Sequence, residues 1–126
     1  MQLSVTGIFT KEQQNSINQK LDKVSLQLGL NLKIHFEGIL DHDILDRAAF
    51  VFNKLELDKQ ENGPSALLLI SLASRRYAFL CNENSSQILT TLSLVEIDNL
   101  LQLKLKDEDY FGAITNFLDF LYTIKK

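Results

Sequence analysis

The sequence predicts a three-layer α/β/α sandwich around a mixed sheet of three to four strands, and three observations lead there. Apolar residues recur at helical spacing before, between and after segments of strand character. Residues 62–82 hold an aliphatic run, 66–72, a brief polar interruption at 73–75, and a second segment in which Tyr77, Phe79 and Cys81 alternate with their neighbours. That pattern is a buried strand reversing into an antiparallel partner. The strand at 30–36, the helix after it and the strand at 66–72 make one crossover unit, for which parallel pairing is the default.

Each element follows in order. Thr10-Lys-Glu-Gln13 has the form of a capping box, and Ile17, Leu21, Val24 and Leu28 then recur along one helical face. Gly29 suits the left-handed residue that closes such a helix. Leu30, Leu32, Ile34 and Phe36 alternate with Asn31, Lys33, His35 and Glu37, a half-buried strand. Residues 38–42 read as a loop, with Asp41 the expected cap of a second helix whose apolar face carries Ile44, Leu45, Ala48, Ala49, Phe52 and Leu55.

A polar linker at 58–62 leads to the central hairpin. After Cys81, residues 82–86 are turn-forming, and 87–92 are expected to make a short helical turn. Ser93-Leu-Val-Glu96 has the form of a second capping box ahead of Leu94, Ile97, Leu100 and Leu101. The pattern breaks at 104–109, and a last helix buries Phe111, Ile114, Phe117, Leu118 and Leu121. Val5, Ile8 and Phe9 either add an edge strand or pack against the sheet.

Composition narrows the function classes. The 126 residues are expected to form one domain, 1–126, large enough to bury roughly two thirds of the unfolded surface. One cysteine, Cys81, excludes an intramolecular disulfide and a zinc site of the paired-cysteine type. Net charge is −3 with the two signs interspersed, so the basic stripe that nucleic acid demands is absent. No apolar run has the length to cross a bilayer, which argues against direct membrane insertion. The start of the chain lacks the pattern of a secretory signal, so the expected address is cytoplasmic.

Candidate chemistry gathers where the first strand gives way to the second helix. Glu37, Asp41 and Asp43 form an oxygen-rich group suited to a hard cation such as Ca²⁺ or Mg²⁺, at the sheet edge where α/β ligands bind. The alternative is structural: Asp41 caps the helix and Asp43 lies favourably against its dipole. Asp41-His-Asp43 also resembles the paired aspartates of haloacid-dehalogenase-like phosphatases, a match two residues deep without their later lysine and acidic motifs. His42, Ser74 and Arg75 are further candidate ligand contacts, and Arg75 and Arg76 carry charge that suits a phosphate or carboxylate. His35 is expected on a solvated face, and Cys81 as a small buried hydrophobe. Asp107, Glu108 and Asp109 complement the dipole of the last helix. No glycine-rich phosphate loop follows a strand.

Taken in order, these elements resemble the TPM domain, a family named for a thylakoid-lumen protein, a photosystem II repair protein and a worm modulator of levamisole receptors. The likeness runs from about Phe9 to Ile124. It rests on Thr10-Lys-Glu-Gln13, on Gly29 before a strand, and on Ala48 and Phe52 in the second helix. It continues with Asn62-Gly63 before an aliphatic strand and with Asp109-Tyr-Phe-Gly-Ala-Ile114.

The resemblance implies acid phosphatase activity or calcium binding in some members, and a bacterial-type protein with protein partners, some at a membrane. Many relatives carry an export signal and a membrane anchor. This chain departs from the pattern at Pro64 and Ser65, which look inserted, and at Ser74, where the hairpin tip of the family carries an aspartate. Cys81 also stands in place of a glycine, and 82–86 lack a second one. Those departures point to a divergent member whose role is a non-catalytic interaction or accessory domain. The alternative is a weak divalent-metal-dependent phosphatase or calcium-binding domain.

Overall fold

The computed structural model describes residues 9–38, 43–59, 63–72 and 76–124. Thr10 accepts from the Gln13 N–H while the Gln13 side chain accepts from the Thr10 N–H, and this box opens α1 (Lys11–Leu28). The helix closes at Gly29, whose φ of 62° is the left-handed conformation that glycine adopts without a Cβ penalty. β1 (Asn31–Glu37) alternates as expected: Leu32, Ile34 and Phe36 are buried, while Asn31 is exposed and Lys33, His35 and Glu37 are half-buried.

α2 (Ile44–Lys54) buries Ala48, Val51 and Phe52, and Leu57 continues the same patch just past its end. This corrects the expected face. Leu45 and Ala49 are exposed one residue, about 100° of helix, past Ile44 and Ala48, whereas Leu55 is exposed because α2 ends at Lys54 and Leu55 is its C-cap. The cap also differs from expectation. Asp43 caps α2, its Oδ1 accepting from the Leu45 N–H at 2.8 Å, and Asp41 lies outside the described residues.

The sheet has the order β1-β2-β3, with β2 (Ser65–Ser71) fully buried between its neighbours. β1 and β2 are parallel, Asn31 opposite Ser65 through Glu37 opposite Ser71. β3 (Arg76–Cys81) is antiparallel to β2, Ala66 opposite Cys81 and Ser71 opposite Arg76. Strands 30–36 and 66–72 therefore share one mixed sheet, as the crossover pattern requires, with three strands among the described residues.

Past β3, the helical turn falls earlier than its sequence placement. Residues 87–92 do not form it; a short 3-10 turn spans Glu83–Gln87 instead. Asn82 sets this turn. Its Oδ1 accepts from Ser85 and from the Ser65 backbone, and its Nδ2 donates to the Gly63 carbonyl at 2.7 Å, tying the turn to the start of β2. α3 (Thr91–Lys106) is capped by Thr90, whose hydroxyl accepts from the Ser93 N–H, so Ser93 lies in the first turn rather than at the cap. α4 (Tyr110–Thr123) follows after Asp109.

The helices cover both faces, which makes the three layers. α1, α3 and α4 lie on one side over Leu32, Ile34, Phe36, Leu68 and Ile70. Among the described residues α2 alone lies on the other, over Leu67, Leu69 and Ala78. No helix among the described residues is long and apolar enough to cross a membrane.

Candidate functional site

The carboxyl ends of β1 and β2 meet at one end of the sheet, and the hairpin begins there. Glu37 ends β1 opposite Ser71, and the Leu72 N–H donates to the Glu37 carbonyl at 2.9 Å. Arg76 opens β3 opposite Ser71. The two stretches that carry candidate residues in sequence thus flank the same sheet end. Tyr110, opening α4, closes it from the side of α1, α3 and α4 by donating its hydroxyl to the Leu72 carbonyl at 3.1 Å. Phe36 lies here too, edge-on to Phe9 at 5.6 Å.

Of the expected metal ligands, the structure places Glu37 and Asp43; Asp41 lies outside the described residues, as do His42, Ser74 and Arg75. Glu37 is engaged. Arg47 Nε donates to its Oε1 at 2.6 Å, and His35 Nε2 meets the same oxygen at 3.1 Å. Burial pushes the Glu37 carboxyl up, but the hydrogen bonds and positive charge of Arg47 and His35 outweigh it and hold the pKa below the ordinary glutamate value. His35 is accordingly a half-buried partner of Glu37 rather than a solvated side chain. Asp43 uses its carboxylate on the α2 cap. Among the described residues, no three His, Cys, Asp or Glu side chains gather as a metal-binding group.

Arg47 is the residue that sequence reasoning missed. It lies one turn into α2, four residues after Asp43, and only the placement of the helix brings it to the end of β1. The same guanidinium lies over the exposed Phe50 ring, 5.1 Å from the centroid, with Lys54 at 5.9 Å. Cys81 is half-buried, and burial pushes its thiol pKa up despite a hydrogen bond with Ser85, so it is a poor nucleophile. At the opening of α4, Asp109 accepts from the Gly112 N–H at 2.9 Å, and a Cβ on Gly112 would run into that carboxylate. The Asp109-to-Gly112 spacing is therefore a capping requirement.

This architecture defines a small α/β/α sandwich whose candidate chemistry sits at the carboxyl edge of a mixed sheet. The chain belongs to the TPM domain family, which it matches over residues 4–124. In fold it is similar to the BA42 protein of the psychrophilic bacterium Bizionia argentinensis. The TM-score is 0.82 at 15% identity, with 94% of this chain and 82% of that one covered. It is also similar to the N-terminal domain of a Corynebacterium glutamicum protein, with a TM-score of 0.78 at 15% identity over 96% of this chain and 76% of that one. A third likeness is to the N-terminal domain of a P. gingivalis protein, with a TM-score of 0.75 at 16% identity over 91% and 77% of the two chains. No curated protein matches the sequence.

Proposed function

We propose that this chain serves as a non-catalytic interaction or accessory domain, with proteins as its partners, some of them membrane-associated, and the cytoplasm as its compartment. One observation carries the reading: the Arg47–Glu37 ion pair at 2.6 Å. A divalent cation held by Glu37 would sit beside a guanidinium that already neutralises the carboxylate, and the like charges would repel. Asp43, the second described acid, supports the same view, because its oxygen satisfies the first turn of α2. Phosphomonoester hydrolysis needs a positioned nucleophile or metal-activated water, plus cations to meet the developing charge. Arg47 offers the cation, but its charge is turned onto Glu37.

A weak metal-dependent phosphatase or a Ca²⁺- or Mg²⁺-binding domain is the second reading. It is favoured by the meeting of Glu37, Ser71 and Arg76 at one sheet end. Its ligands would be Glu37, Asp41 and Asp43, with His42, Ser74 and Arg75 as further contacts.

Titration of the isotope-labelled protein with calcium and then magnesium, followed by backbone amide shifts, separates the two. The expected result is no localised shift around Glu37 and Asp43 at millimolar metal, and no metal-dependent turnover of a generic phosphomonoester. Robust metal-dependent turnover that Asp41→Ala or Asp43→Ala abolishes would establish the enzyme instead.

A further inference from the structure

β3 is an edge strand among the described residues. The Asn82 N–H donates to the Ser65 carbonyl at 3.0 Å, which sets the phase of the ladder. In an antiparallel pair that phase turns the backbone groups of Arg76, Ala78 and Leu80 toward β2 and those of Tyr77, Phe79 and Cys81 outward. Natural edges of this kind are blunted by proline, bulges or charge. From Tyr77 to Cys81 this one carries no charged residue and no proline.

The edge forms the floor of a groove of about 600 Å³ that is walled on both faces of the sheet. On one face α2 supplies Ile44 and the exposed Leu45; on the other α3 supplies Leu94, Ile97 and Leu105. An occupant running along the floor therefore meets apolar walls with the side chains of both its faces. From Leu94 to Lys106 the α3 wall is about 18 Å long, which an extended segment of about six residues matches. One such segment enters between the walls and pairs with the outward groups of Tyr77 and Phe79. A second copy of this chain would instead bring its own α2 and α3 against those walls.

Charge gives the segment a direction. Tyr110, just past α3, bonds to the Leu72 carbonyl, so the C-terminal end of α3 lies at the sheet end where Arg76 opens β3. Arg76 is exposed and lines the groove there, and its guanidinium has no hydrogen bond or ion pair among the described residues. The acid of the groove, Asp98, lies about two turns down α3 from Lys106, its carboxylate taken up by the Gln102 amide at 3.2 Å. A strand antiparallel to β3 ends beside Arg76, so its terminal carboxylate meets the guanidinium; a parallel one would end at the other side. We propose that the groove takes the apolar C-terminal tail of a partner protein, added to the sheet antiparallel to β3 with its carboxylate on Arg76. The proposal rests on the reading of this chain as an interaction domain and names the partner's chemistry.

A library of random hexapeptides, each tethered through its N-terminus so that it ends in a free carboxylate, tests this against the folded full chain. The expected result is enrichment of sequences with consecutive apolar residues. A synthetic copy of an enriched peptide then shifts the amides of Tyr77, Phe79 and Leu94 in the isotope-labelled protein. Amidating that peptide, or Arg76→Gln, weakens binding about tenfold. Leu45→Glu sets a charge on the apolar wall and weakens it by a similar factor. Helical circular dichroism checks that both variants are folded, since both side chains are exposed. No enrichment overturns the proposal, as does binding indifferent to amidation or to Arg76→Gln. Self-association that Leu45→Glu abolishes overturns it in favour of a second copy. Each of these failures leaves the interaction reading to its own test, because metal titration and phosphatase turnover report on the carboxyl edge and not on this groove.

Discussion

The two faces of the sheet are covered by unequal means. On one, three helices enclose a continuous core in which Phe117, Leu118, Leu101 and Leu21 close over Phe36, Leu68 and Ile70, all essentially inaccessible. On the other, the 11 residues of α2 bury Ala48, Val51 and Phe52, with Ile44 partly buried and Leu57 beyond, against Leu67, Leu69 and Ala78. The β1 residues on that thinner face are Lys33, His35 and Glu37, polar and half-buried. The thick face therefore holds most of the apolar burial, while the thin face holds the charged groups. Candidate chemistry lies on the side with the smaller stake in stability, as expected where function draws on the less stable parts of a fold.

Truncating one aromatic residue in each core tests whether the two faces differ in this way. Phe117 is fully buried and meets Phe79 edge-on at 5.5 Å. Phe117→Ala is expected to cost about 4–5 kcal/mol, the upper end for such truncations, seen as a lowered urea midpoint for the whole molecule.

Phe52 retains 8% exposure under a single helix. Phe52→Ala is expected to cost about 3 kcal/mol, and its loss should be partly local. Native-state hydrogen exchange should show α2 amides opening well before those of α1 and α4. If α2 exchanges only through global unfolding in both proteins, the two faces form one cooperative unit and the distinction fails.

How far the sequence carried these conclusions depended on the kind of signal. α1 was legible to the residue because its cap, its apolar spacing and Gly29 all agree. The parallel pairing of β1 with β2 followed from the crossover pattern, since a buried aliphatic strand after a helix has few alternatives. The face of α2 was harder to read. Leucines at 45 and 55 invite burial, yet Leu45 lies in the first turn beside the stripe and Leu55 lies past the end of the helix at Lys54. The caps of α2 and α3 slipped because several capping residues stand close together, and only tertiary packing selects Asp43 and Thr90.

At the candidate site, the acids were visible in sequence, but the group that neutralises Glu37 was not. Arg47 lies ten residues away, and such pairing depends on where the fold sets the helix. The role of Asn82 was hidden for the same reason, since its partners Gly63 and Ser65 lie across the hairpin.

The smallest effect is expected at the Glu37–Arg47 pair, and its sign follows from linkage. The Glu37 carboxyl titrates below its ordinary value in the folded protein, although burial alone would raise it, because Arg47 and His35 favour the charged form. A depressed folded value means that the unfolded chain binds the proton more tightly. The stabilisation is therefore complete above the ordinary glutamate value and is lost as pH falls through the depressed one. Arg47→Met keeps an apolar stem of similar length but removes the guanidinium. Both side chains are partly solvated, so the variant is expected to lose only about 1 kcal/mol or less near neutral pH. That deficit should shrink on acidification, because protonated Glu37 has no charge left to lose. Urea denaturation of both proteins, near neutral pH and again below the glutamate range, reads the difference directly. An equal deficit at both pH values would assign the contribution of Arg47 to its packing over Phe50 rather than to its charge.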